Sequence, residues 1–152
     1  MKVVTENRKA RFDFYIEDKY EAGIELLGWE VKSARAGGVN LQDSFVYFEG
    51  GARAQAFLKN AHFAPFAFGD VSKQDLRRDR RLLLNRSEIN KLHNAVKTKG
   101  MTVIATRIYF DPRGRVKAEI ALARGKHNFD KKKTLKERDI ARETLTALSR
   151  GV

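Results

Sequence analysis

Apolar and polar residues alternate through RFDFYIE at 11–17, with Phe12, Phe14 and Ile16 falling on one side of a period of two. That period predicts a half-buried β-strand. The run SFVYFEGGARAQAFLKN at 44–60 reads as two strands about Gly50-Gly51, with Phe45, Tyr47 and Phe57 supplying β propensity. Residues 101–124, MTVIATRIYFDPRGRVKAEIALAR, give the clearest hairpin. Its turn is Asp111-Pro112-Arg113-Gly114, where Pro suits the second turn position and Gly the last. Beyond the turn, Ala118, Ile120 and Leu122 point one way, and Lys117 and Glu119 the other.

The period changes twice. In NRSEINKLHNAVKTKG at 85–100, Ile89, Leu92, His93 and Val96 recur at helical spacing, and Gly100 ends the run. Asn85 with Glu88 three residues on is a capping box. A second, shorter helix is expected from Trp29 to Ala36, stopped by Gly37-Gly38. Several short strands with few helices predict a mainly β chain, a small antiparallel barrel of the OB type.

Length fits one domain: 152 residues bury roughly two-thirds of the unfolded surface without staples. No cysteine is present, which removes disulfides and thiolate metal sites. No apolar run approaches the roughly 20 residues of a membrane span, and the opening MKVVTENRKARF lacks a signal-peptide core. A cytoplasmic protein is expected.

Charge narrows the partner. Lys and Arg number 31 against 19 acids, a net of +12. Such a surplus favours a polyanion, because neutralised phosphates release condensed counterions. With no amphipathic helix carrying a bulky apolar face, nucleic acid is favoured over a membrane surface. Composition shifts at Gly125, after which Lys and Arg outnumber acids two to one and bulky apolar residues are few. Residues 1–124 are therefore expected to form the barrel and 125–152 a basic tail, disordered when free.

Catalytic chemistry finds little support. His62, His93 and His127 are scattered, and nucleophile-elbow, P-loop and dinucleotide motifs are missing. Glu21, Glu30 and Asp43 are carboxylates that a two-metal nuclease would gather. The favoured reading is that they orient basic neighbours or hydrogen-bond to bases. The basic run KQDLRRDRRLLLN at 73–85 reads equally as a solvated connection into the capped helix. In KHNFDKKKTLK, rings interleave with cations, a composition that can stack on bases while charges track phosphates. On the 29–36 helix, Glu30 with Ser33 and Lys32 with Arg35 each share a face. Trp29 reads as packing.

The segments NRKARFDFYI, YEAGIELLGWEVKSARAG, NLQDSFV, RRLLLNRSEI and ARGKHNFDKKK…KERD occur in this order along the chain. Together they resemble the SsrA-binding protein family, also called small protein B, over residues 5 to 143. The resemblance implies a six-stranded antiparallel OB-like barrel with a flexible basic C-terminal tail. It also implies a protein without catalytic activity, cofactor, metal or small-molecule substrate. Its RNA partner would be transfer-messenger RNA (tmRNA), delivered to stalled bacterial ribosomes for trans-translation. A monomer is expected.

By the same resemblance, Asn7, Glu21, Glu30, Lys32, Ser33 and Lys117 are expected on the RNA face. Arg8, Lys9, Arg11, Arg35, Asn40, Asp43 and Lys126 complete the candidate set. Phe129, Asp130, Lys131, Lys132, Lys133, Lys136 and Arg138 are the tail residues expected to meet small-subunit ribosomal RNA in the mRNA path. Two positions depart from the family pattern. Asp130-Lys131-Lys132 stands where Asp-Lys-Arg is usual, keeping the charge without arginine's planar fork. Asp75-Leu76 stands where Asp-Pro is common. The open alternatives are a general single-strand binder and a metal-dependent nuclease.

Overall fold

The computed structural model describes residues 1–66 and 74–125. Lys126 and the expected tail contacts from Phe129 to Arg138 lie outside the described residues, as do His127 and Lys73.

In chain order the elements are β1 (Lys2–Glu6), α1 (Arg8–Asp13), β2 (Phe14–Ile24), α2 (Gly28–Arg35) and β3 (Val39–Asn40). There follow β4 (Phe45–Glu49), a single 3-10 turn, β5 (Gln55–Lys59), β6 (His62–Phe63) and β7 (Arg80–Leu83). The described chain ends with α3 (Arg86–Lys99), β8 (Thr102–Phe110) and β9 (Val116–Gly125). Seven strands form one antiparallel sheet in the order β1-β8-β9-β2-β7-β5-β4, and β3 pairs with β6 apart from it. The fold is mainly β and OB-like, with seven strands in the main sheet against the six expected. The sheet curls until β4 lies against the start of β8, with no ladder across that seam.

Local signals account for much of this. The β8–β9 hairpin turns where expected because the Asp111 carboxylate accepts from the backbone N–H of Arg113 and Arg115, each at 2.9 Å. Gly114 takes a left-handed φ of 78° there, a conformation that favours glycine. On α3, Asn85 accepts from the Glu88 N–H while Glu88 reaches back to the Asn85 N–H. Ile89, Leu92 and Ala95 of that helix are buried. Ala118, Ile120 and Leu122 enter the main core with Leu58, Phe63 and Leu82. Trp29 packs half-buried against the same core, as its reading required.

Two expectations fail. The alternation at 11–17 does not begin a strand at Arg11, because α1 runs to Asp13 and leaves Phe12 exposed on it. Tertiary anchoring of the helix start overrides the period: Asn7 caps α1 and is itself tied into the barrel. The strand pattern resumes at Phe14, where Phe14 and Ile16 pack on a small second core of Ala10, Ile104, Ala121 and Ala123. The second failure is the reading of 73–85 as a solvated connection. Residues 80–83 form β7, a strand between β2 and β5, and Arg80 is fully buried.

Candidate nucleic-acid interface

The helix α1 is short, and its start is held by one side chain. Asn7 Oδ1 accepts from the Ala10 N–H at 3.1 Å, and Asn7 Nδ2 donates to the carbonyls of Leu41 and Ala105 at 3.0 and 3.1 Å. The Asn7 N–H donates to Thr106 O. Asn7 is 5% exposed, so it positions α1 from beneath and does not face a ligand. The residues it presents are Arg8, Lys9, Arg11 and Phe12, all exposed. Lys9 pairs with Asp43 at 3.2 Å, which ties α1 to the 40–44 loop, and Asn40 there accepts from the Gln42 N–H. Arg8 has no hydrogen bond, ion pair or ring contact among the described residues.

From α1 a chain of charges crosses the outer face of the sheet. Arg11 lies 3.9 Å from Glu6, and Glu6 stands opposite Arg107 in the β1–β8 register. Arg107 Nη2 donates to Glu119 Oε1 at 3.1 Å, and Lys19 Nζ lies 4.0 Å from Glu119 Oε2. The Thr106 hydroxyl donates to Glu119 Oε2 at 2.6 Å. Burial pushes the Glu119 carboxyl up, but Thr106, Arg107 and Lys19 outweigh it and hold it below the usual carboxylate range. Glu21 stands opposite Glu119 on β2, and its carboxylate accepts from the Tyr109 hydroxyl. Burial, reinforced by that hydrogen bond and the Glu21 charge, pushes Tyr109 well above the usual phenol range. Lys117 stands opposite both Gly23 and Tyr109, half-buried and without an ion pair among the described residues.

The helix α2 behaves in the opposite way. Glu30 is fully buried; one carboxylate oxygen accepts from the Leu27 N–H at 2.7 Å and from Arg78 at 2.6 Å, the other from Arg80 Nε. Arg80 also donates to the carbonyls of Ala61, Arg78 and Leu76, and its guanidinium lies 4.0 Å from the centre of the Phe63 ring. Burial lowers the Arg80 pKa and the Glu30 charge opposes that shift. Ser33, 3% exposed, donates to Ala64 O at 2.8 Å. A Cβ on Gly38 would sit 2.9 Å from Ala64 Cβ, so only glycine allows this close approach of α2's end to the segment just after β6. Lys32 and Arg35 remain exposed, over the rings of Phe66 and Phe110 at 5.5 and 6.0 Å.

The structure therefore divides the sequence-derived set. Arg8, Lys9, Arg11, Asp43, Glu21 and Lys117 border one charged face. Glu30 and Ser33 are corrected from surface contacts to buried supports, because every polar atom of theirs that packs inward is met by protein. Asn7 is corrected in the same sense. Glu21, Glu30 and Asp43 do not converge; each engages a different partner. Sequence reasoning missed Lys19, Arg107, Tyr109 and Glu119 on the face. The alternation of Arg107 and Tyr109 with Ile108 and Phe110 was the signal that carried two of them.

A curled antiparallel sheet with a charged outer face and a basic helix at its margin defines an OB-like β-barrel. The sequence model of the SmpB protein family matches residues 4–150, and the chain belongs to that family. The SsrA-binding protein of Wolinella succinogenes is 51% identical over 148 residues, 97% of this chain and 96% of the relative. The SsrA-binding protein of Thermosipho africanus is 45% identical over 151 residues, 99% of each chain. A solved structure of tmRNA-SmpB and the bacterial ribosome aligns with a TM-score of 0.67 at 45% identity, covering 83% of this chain and 85% of that one. No helix among the described residues is long and apolar enough to cross a membrane.

Proposed function

We propose that this protein binds transfer-messenger RNA and delivers it to stalled bacterial ribosomes for trans-translation, in the cytoplasm and without a chemical step of its own. The observation that carries the reading is the row of charged groups from α1 across β1, β8, β9 and β2, in a family whose members are named for binding SsrA. Arg8 and Lys117, which have no ion pair among the described residues, are available to phosphates. The carboxylates on the same face are already engaged, Glu119 by Thr106, Arg107 and Lys19 and Glu21 by Tyr109. They therefore cost less next to an RNA than free acids would. Double-stranded and folded RNA is read largely through shape, phosphates and 2′-hydroxyls. A rigid sheet with fixed donors and acceptors suits a folded tRNA-like elbow better than a random strand. Lys32 and Arg35 of α2 are retained as outlying phosphate contacts, and Asn40 as a loop contact beside Asp43.

The division of labour follows the domain boundary. Residues 1–124 grip the RNA, and 125–152 act on the ribosome, where a basic segment folds against ribosomal RNA in the mRNA path. The test is deletion of residues 129–152. Binding to the tRNA-like domain by gel shift stays near normal, while tagging of stalled chains in a reconstituted assay is lost. Full tagging activity rejects the tail assignment; loss of RNA binding in solution moves the grip off the barrel. RNA cleavage on addition of magnesium or manganese would reject a purely binding role.

A further inference from the structure

Phe12 is the most exposed of the large hydrophobic side chains among the described residues, at 78%. It belongs to neither core cluster and has no ring or cation contact among the described residues. The packing of α1 is done by Ala10, buried at 5%, and by Asn7 beneath it. Among the described residues, no core cluster or ring contact uses the Phe12 side chain. A single exposed apolar side chain is ordinary by itself; its place on a short anchored helix beside basic residues gives this one its meaning.

Its surroundings say what. Arg8 and Lys9 lie one helical turn before Phe12, and Arg11 and Asp13 flank it in sequence. An apolar partner surface would have to cover the charges of Arg8, Lys9 and Arg11 around this single ring. An unpaired nucleobase meets a flat π face with its phosphates directed at guanidinium and ammonium groups. Asn7 fixes α1 by three hydrogen bonds, so the ring is presented from a rigid base with little ordering left to do on binding.

We propose that Phe12 is a stacking platform for one unpaired base of the bound RNA, with Arg8 taking the adjoining phosphate. This rests on the reading of the α1 and sheet face as the RNA grip and adds to it a base contact that is independent of salt. The ring accepts any base, so it selects for an unstacked nucleotide at one place in a folded RNA and not for its identity.

The test compares Phe12→Leu with Phe12→Trp on the full chain, using the tRNA-like domain of tmRNA in a filter-binding assay across a salt series. Leu keeps an apolar side chain and suits a helix, but cannot stack. Phe12→Leu weakens binding about tenfold with the slope of log K against log salt unchanged. Phe12→Trp binds within about twofold of the parent. Melting temperatures of both match the parent, because the ring touches no core. Parent-like binding by Phe12→Leu overturns the proposal, as does a loss with Phe12→Trp equal to that with Phe12→Leu. Lys117→Ala, measured alongside, separates the two levels. If Lys117→Ala weakens binding and Phe12→Leu does not, only the stacking contact fails; if neither weakens it, the face itself is misassigned.

Discussion

The two short helices near the N-terminus carry similar residues to opposite ends. On α2 the acid goes inward: Glu30 has no exposed surface and binds Arg80, which has none either. On α1 Arg8, Lys9 and Arg11 stay out, Asp13 is half-buried, and the buried polar residue is the neutral cap Asn7. The difference lies in what each helix packs on. Behind α2 runs β7, which with the segment just before it delivers Arg80 and Arg78 to the Glu30 carboxylate. Behind α1 lie the backbone carbonyls of Leu41 and Ala105, which a side-chain amide can satisfy and a carboxylate cannot. One helix is a clamp for the fold, the other a support for exposed cations.

Breaking the α2 clamp should have the largest effect on the folded state. Removing one partner of a buried ion pair leaves the other charged and unpaired. Glu30→Ala is expected to cost about 3 kcal/mol, a fall of roughly 10 °C in Tm by calorimetry. Replacing Glu30 and Arg80 together by Met should recover much of that loss, since no orphaned charge remains. If Glu30→Ala melts like the parent, the clamp is not holding the fold.

On the α1 and sheet face the effect should appear in binding instead. Lys117→Ala is expected to lower RNA affinity about tenfold and make the salt slope shallower by about 0.7 to 0.9, with Tm unchanged. For the parent, a handful of phosphate contacts predicts a slope of roughly −3 to −6. A Tm loss in Lys117→Ala would place this residue with the clamp.

Glu21→Gln sharpens the comparison at a smaller scale. The amide oxygen still accepts from the Tyr109 hydroxyl, so circular dichroism should be unchanged. RNA binding nevertheless falls a few-fold, although a negative charge has been removed, because the second oxygen no longer accepts as a carboxylate from the RNA. Equal or tighter binding by Glu21→Gln would remove Glu21 from the interface.

The smallest effect is the pH dependence from Glu119. Its carboxyl is held below its ordinary range in the fold, so its stabilising contribution is present at neutral pH. That contribution is lost as pH falls through the folded-state pKa. Denaturant titrations of Glu119→Gln should therefore show a flatter decline of stability below the carboxylate range than the parent. Identical acid limbs would mean that Thr106, Arg107 and Lys19 do not hold this group.

What could be read from the sequence follows the range of the signals. The β8–β9 hairpin and the α3 capping box depend on residues a few positions apart, and both appear where expected. The β4–β5 pair about Gly50-Gly51 was legible for the same reason. Arg80 was not, because its partner Glu30 lies 50 residues away and a row of arginines carries no mark of which one turns inward. The helix α1 was hidden for a related reason, since Asn7 is a cap only once β8 and the 40–44 loop supply its acceptors. The family resemblance named the motifs expected to face RNA, yet it did not separate side chains that lie at the surface from those buried beneath it. Asn7, Glu30 and Ser33 belong to the second kind.

The central claim is that the RNA grip lies on the α1 and sheet face, with α2 serving chiefly as its support. The direct measurement is the affinity of two double variants for the tRNA-like domain at one fixed salt concentration. One is Arg8→Ala with Lys117→Ala, the other Lys32→Ala with Arg35→Ala; each removes two cations, so their net charges are equal. The account predicts a loss of about a hundredfold for the first and no more than about threefold for the second, with both proteins melting like the parent. Equal losses would mean that charge alone governs binding, and a larger loss from the α2 pair would place the grip on α2.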